Sequence, residues 1–329
     1  MWHGPRSARI HSLHFDHILA RLCSPKRRKW ASVMRYAGRS VLVRIDILMK
    51  HFFVFGFTSI VISAIALAQS GPVIKPDTVV VRTDTVLLLG LVWRPMGEGP
   101  FPAILFNQGR STTIEERTTK TSQASLLGEL FSKHGYLFFV LFRQGEGLSV
   151  NRGFHISQLL DRERITHGAN AADFLQVQLL QTRELTDALA GVAFLKSIPG
   201  VDPGRLGLVG HSFGGSLALL IAARDTALKA TVDFSGAAGS WNIPSLRNTL
   251  IGAVKRLTSP VLFLFASNDY SVEPGKALDA ELEREGKVHQ LRIFPPFGKT
   301  ATEGHSFVYS AIDQWDSAVF ALLDAHLKH

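Results

Sequence analysis

The sequence predicts an α/β protein: a mostly parallel sheet carrying helices on both faces. Three observations carry that prediction. From Pro72 onward, short β-rich runs alternate with helical stretches to the end of the chain. Several of the runs (102–106, 136–142 and 260–265) are continuously apolar, as strands covered on both faces are. The stretch 205–223 passes from an apolar run into an Ala- and Leu-rich one through Gly210-His211-Ser212-Phe213-Gly214, which fits G-x-S-x-G.

In chain order, 78–81 and 86–93 read as a hairpin leading into the sheet. Strand 102–106 ends in Asn107-Gln108-Gly109-Arg110. A helix is expected over 124–134, where Leu126, Leu127, Leu130 and Phe131 fall near helical spacing. Strand 136–142 ends in Arg143-Gln144-Gly145-Glu146-Gly147-Leu148-Ser149. The segment 151–182 mixes polar residues with a weakly periodic apolar set, and reads as connecting helix or as a partial cover for a site. Helix 185–197, strand 206–209 and helix 215–223 follow. Strand 230–234, helix 245–257, strand 260–265, helix 274–285, strand 290–294 and a helix over 307–327 complete the alternation. The connection 234–245 is too short for a cap domain, so an open pocket is expected. Residues 69–329 read as one domain, without repeat or linker.

Ser212 is the candidate nucleophile. A strand turning straight into a helix forces the residue at its tip into a strained backbone and exposes its hydroxyl, and the flanking glycines are required because a Cβ there would collide with neighbouring elements. The helix N-terminus beneath favours developing negative charge. A serine hydroxyl needs a base, itself oriented by a third group. Asp269, in Ser267-Asn268-Asp269-Tyr270 just beyond a strand, is the candidate acid. His305, in a loop before the last helix, is the candidate base. Both stand at strand carboxyl ends, on the rim expected for Ser212. Asp233 is the competing acid. His289 reads as an edge residue, His326 and His329 as terminal ones, His211 as a packing or hydrogen-bonding residue, and Glu303 as solvated. Two backbone donors should form an oxyanion hole: the Phe213 amide and that of Arg110 or Gly109. For the Arg110 side chain the alternatives are contact with an acidic substrate group and exposure to solvent, the second being the expectation.

The net charge of +9 sits in the first 50 residues, with 11 Lys and Arg against 2 Asp and Glu; the other 25 basic and 25 acidic residues cancel. The folded body is therefore neutral, which removes the support for nucleic-acid binding. The single cysteine, Cys23, lies in the same basic stretch, so no disulfide framework is possible. Met49-Lys50-His51, an apolar run from Phe52 and Ala66-Leu67-Ala68 have the order of a signal peptide over 49–68, with cleavage after Ala68. Export to the periplasm or medium is thus expected, with no membrane contact after cleavage. Residues 1–48 then read as a non-native leader from an early start site. The rival reading is a cytoplasmic tail on an anchored protein.

The motifs Asn107-Gln108-Gly109, Arg143-x-Gly145-x-Gly147-x-Ser149, Asp202-Pro203-x-Arg205, Asn268-Asp269 and Glu303-Gly304-His305 resemble those of the α/β-hydrolases, in the dienelactone-hydrolase-like branch. The resemblance spans 78–327. It implies the α/β-hydrolase fold with no large cap domain and a triad of Ser212, Asp269 and His305. Dienelactone hydrolases proper carry cysteine where Ser212 stands, so lactone specificity is not implied. Their His-Gly after the third strand is Gln108-Gly109 here, which leaves the backbone donor intact. Metal-binding H-E-x-x-H and phosphate-binding glycine motifs are missing from the sequence, so no cofactor is implied. The expected activity is cleavage of a small-molecule carboxylic ester through an acyl-serine. A peptidase or amidase of the same fold and a non-catalytic binding module are the alternatives.

Overall fold

The computed structural model describes residues 74–329, apart from Thr85. The expectations for Cys23, for the leader 1–48 and for the signal peptide 49–68 lie outside the described residues.

Among the described residues, eight strands build the fold: β1 (Asp77–Arg82), β2 (Leu87–Trp93), β3 (Phe101–Asn107), β4 (Leu137–Leu141), β5 (Val201–His211), β6 (Ala230–Phe234), β7 (Val261–Ala266) and β8 (His289–Phe294). They pair in the order β1-β2-β4-β3-β5-β6-β7-β8. The predicted hairpin is the antiparallel pair β1–β2, and β2 also runs antiparallel to β4. From β4 to β8 every pairing is parallel. This is the expected α/β-hydrolase sheet, and the continuous apolar runs explain it. Along β7, Leu262 and Leu264 join one core cluster while Phe263 and Phe265 join the other. Neither face meets water, and each such side chain contributes roughly 1.5–3 kcal/mol of burial.

Helices α1 (Ile114–Lys133) and, at the chain's end, α10 (Ile312–Leu327) cover one face. The other is covered by α4 (Leu185–Ser197), α5 (Phe213–Ala222), α6 (Pro244–Val254) and α7 (Glu273–Arg284). The segment left open in the sequence is helical. It forms α2 (Ile156–His167) and α3 (Ala169–Leu179), which runs through a π-helical turn, Leu180–Glu184, into α4.

Two of the boundaries that differ from expectation bear on the site. Helix α1 starts at Ile114, ten residues before the predicted helix, because its first three turns are polar and give no apolar period; Arg117 and Lys120 are nevertheless buried. The predicted final helix is broken. After α8 (Ala301–His305), a short α9 (Phe307–Ser310) ends at Ala311, whose φ −127° and ψ 42° lie outside the helical region. The break lets Phe307 and Trp315 both enter the core while Tyr309 turns onto His211.

The chain leaves β3 for β4 on one side and returns to β5 on the other. The carboxyl ends of β3 and β5 are thus neighbours, with Asn107 paired to Gly210. That reversal of strand order is where a doubly wound sheet opens a crevice.

Candidate active site

At the crevice, β5 turns directly into α5, and Ser212 between them takes φ 56° and ψ −119°. A residue with a Cβ is strained there and needs its surroundings to hold it. The Ser212 amide donates to the Phe234 carbonyl at 2.8 Å, and its carbonyl accepts from the amides of Gly215 and Ser216 at 3.0 and 3.2 Å. The glycines are needed as the sequence predicted. A Cβ on Gly210 would strike the Gly214 carbonyl, and one on Gly214 would strike that of Asn107.

His305 ends α8 and opens onto the same cavity as Ser212, a space of about 380 Å³. Asp269 lies behind it in the turn after β7, its side chain closed to solvent. His305 Nδ1 is 2.7 Å from Asp269 Oδ1, which also accepts from the Tyr270 amide at 2.6 Å. Asn268 fixes the approach of the two turns. Its amide donates to the carbonyls of Phe297 and Thr300 at 2.9 and 3.0 Å, and its Oδ1 accepts from the Phe297 amide at 2.9 Å. Glu303 is exposed, as expected, and also caps α8: its carboxylate accepts from the Thr300 amide at 2.9 Å while Thr300 Oγ1 accepts from the Glu303 amide at 3.2 Å. His211 Nε2 donates to the His305 carbonyl at 2.9 Å, and the Tyr309 hydroxyl, 3.3 Å away, donates to Nδ1. Burial, helped by the neighbouring His305, holds the His211 pKa well below the ordinary histidine value, so this ring stays neutral.

The other carboxyl, Asp233, is fully buried between Gly215 and Gly236 and has no well-formed hydrogen bond among the described residues. Burial pushes its pKa up to about 8, against the pull of the Gly236 amide. His289 bonds to Asp279 and Glu283 beside β8, away from the cavity.

Gly109, Arg110 and Phe213 all line the cavity, and none of their amides has an acceptor among the described residues. Gly109 presses on the elbow: a Cβ there would lie 3.3 Å from Ser212 Cβ. The Arg110 side chain corrects the expectation of a solvent-facing arginine. It is partly buried at the cavity, where Gln176 of α3 draws it in, Nη1 donating to Oε1 at 3.1 Å. Lys120 of α1 also lines the cavity, 7% exposed and without an ion pair or hydrogen bond among the described residues. Burial lowers its pKa, with Glu146 opposing. Leu180, at the π-helical turn, completes a wall from the segment 151–182, which therefore partly covers the site.

Behind the β3 turn lies a buried charged network that the motif Arg143-x-Gly145 announced without a role. Arg143 donates to the carbonyls of Gln108 and Gly109 at 2.6 and 3.1 Å. Among the described residues, no group of three His, Cys, Asp or Glu side chains could hold a metal ion, and no helix is long and apolar enough to cross a membrane.

Residues 120–322 match the sequence model of the dienelactone hydrolase family. The chain belongs to the dienelactone hydrolase family. This family member is 24% identical over 202 residues to a Synechocystis protein named "Putative carboxymethylenebutenolidase", covering 60% of this chain and 74% of the relative. Its fold matches that of dienelactone hydrolase from Anabaena variabilis with a TM-score of 0.51 at 17% identity, covering 78% of this chain and 100% of that one. The acylaminoacyl peptidase of Pyrococcus horikoshii matches with a TM-score of 0.56 at 15% identity over 78% of this chain, which spans 43% of the peptidase. Family membership makes the chain a hydrolase, and the low-identity structural matches speak for the fold alone.

Proposed function

We propose that this family member cleaves carboxylic esters through an acyl-enzyme on Ser212. The observation that carries the reading is the 2.7 Å bond between His305 and a closed-off Asp269, on a cavity shared with a serine at a strained strand–helix elbow. Ser212 Oγ attacks the ester carbonyl while His305 takes its proton, and the oxyanion forms against the amides of Phe213 and of Gly109 or Arg110. Collapse expels the alcohol, which leaves with the proton from His305. Water, deprotonated by His305, then releases the acid and frees Ser212. Asp269 holds the imidazole in the required tautomer throughout.

Arg110 and Lys120, two basic side chains that line the cavity without a salt bridge among the described residues, favour esters that carry an acidic group. The signal-like order of residues 49–68 supports export, for which N-terminal sequencing of the secreted protein should read Gln69.

Fluorophosphonate labelling tests the chemistry. The wild-type protein should carry one adduct, mapped by mass spectrometry to Ser212, and Ser212→Ala should lose both adduct and p-nitrophenyl ester hydrolysis. An active Ser212→Ala protein would sink the proposal.

A further inference from the structure

The Gly109 amide belongs to the peptide group whose oxygen is the Gln108 carbonyl, and the Arg110 amide to the one whose oxygen is the Gly109 carbonyl. A trans peptide is planar, with N–H and C=O pointing opposite ways. Whatever grips the oxygen on one side aims the N–H toward the other. Arg143 grips both oxygens, through Nη1 at 2.6 Å and Nη2 at 3.1 Å. We propose that Arg143 is a positioning residue that sets the direction of the Gly109 and Arg110 amides, and hence the strength of the oxyanion hole, without touching substrate; this rests on Ser212 being the nucleophile.

The surroundings leave Arg143 little freedom. It is 4% exposed and does not line the cavity. Its Nε is 3.1 Å from Glu184 Oε2, and Nη2 is 3.8 Å from Glu146 Oε1. Glu146 is fully buried and is itself fixed by the Ser111 amide at 3.0 Å, the Ser111 hydroxyl at 2.6 Å and His155 Nε2 at 2.9 Å. The guanidinium also lies 5.2 Å from the ring centre of Phe213, the residue that supplies the opposite donor. A planar fork spanning two carbonyls is something arginine does and lysine does not. The two carboxylates, an expensive burial by themselves, serve here to keep that fork in one orientation.

The test uses the full chain as wild type, Arg143→Lys and Glu184→Gln, each checked for folding by circular dichroism. Each is treated with an aryl trifluoromethyl ketone labelled with ¹³C at the carbonyl, which adds to the serine as a hemiketal. The pH at which that hemiketal ionises reads the oxyanion hole directly, and kcat and KM for a p-nitrophenyl ester are measured alongside. Deleting an oxyanion donor outright costs about 10²–10³ in kcat. Misaiming donors should cost less, so Arg143→Lys is expected to lose roughly 10–100-fold in kcat, with KM within about twofold. Its hemiketal should ionise at higher pH than in the wild type. Glu184→Gln should move both readouts the same way by less, and it decides the matter alone if Arg143→Lys does not fold. A hemiketal that titrates identically in the folded variants, or a loss confined to KM, overturns the role of Arg143 and leaves the hydrolase reading standing. A wild-type Ser212 that forms no hemiketal brings down the hydrolase reading itself, and the role of Arg143 with it.

Discussion

Two carboxyls at the ends of neighbouring strands have opposite fates. Asp269 meets His305, whereas Asp233 is sealed between two glycines with its pKa pushed up to about 8 by burial. In the unfolded chain such a carboxyl ionises near its ordinary value of 3.8. Between those two values the folded state keeps a proton that the unfolded state loses, so stability falls as pH rises through that window. Asp233→Asn should therefore raise the urea midpoint relative to wild type by a margin that grows from pH 5 to pH 8, with little change in kcat. Asp269→Asn should instead cost on the order of 10⁴ in kcat, by analogy with the same change in serine proteases; a reversal of that ranking in steady-state assays would move the acid to Asp233. Lys120→Met should raise KM for esters bearing a carboxylate and leave that for neutral esters of the same size unchanged. That Ser212, Asp269 and His305 lie close together could be read because Ser212 and Asp269 stand in turns directly after strands, whereas His305, read as a loop residue, ends the short α8. Lys120 was not legible, since a lysine in a polar stretch carries no mark of the cavity that the fold wraps around it.

Elements with an unmixed apolar run were read from the sequence with boundaries close to those found, and β4 and β7 show why: a strand covered on both faces has only one pattern available. Where burial is polar the pattern fails. The first turns of α1 bury Arg117 and Lys120, and the π-helical turn places Glu184 against Arg143, so neither gives an apolar period. The short α8 was read as a loop because five residues cannot show a period, yet its capping box is visible in hindsight as Thr300-x-x-Glu303. Removing the cap hydroxyl should loosen the helix that ends in His305. Thr300→Ala is expected to cost about 1 kcal/mol of stability, and to lower kcat several-fold with the label still reaching Ser212. Thermal melts and turnover, measured on one preparation, check both parts.

Across the whole molecule the balanced charge of the body hides a concentrated buried network. Burial alone would raise the Glu146 pKa, but the His155 hydrogen bond, the charges of Arg143 and Lys120 and the Ser111 hydrogen bond outweigh it and bring it down to about 2. A carboxyl depressed this way stabilises the fold above its ordinary value of 4.5 and loses that contribution as pH falls toward 2, on the order of 3 kcal/mol in all. Glu146→Gln should be less stable than wild type at pH 6, and the gap in urea midpoint should narrow toward pH 2.5. The segment that walls the cavity is tied to this network at its two ends, by His155 just before α2 and by Glu184 just before α4. Everything between them can be treated as a cassette. Exchanging 156–183 for a loop of another shape should redraw the range of accepted esters while the turnover machinery survives, provided both end residues keep their grip; a graft that omits either one releases the clasp and slows every substrate alike.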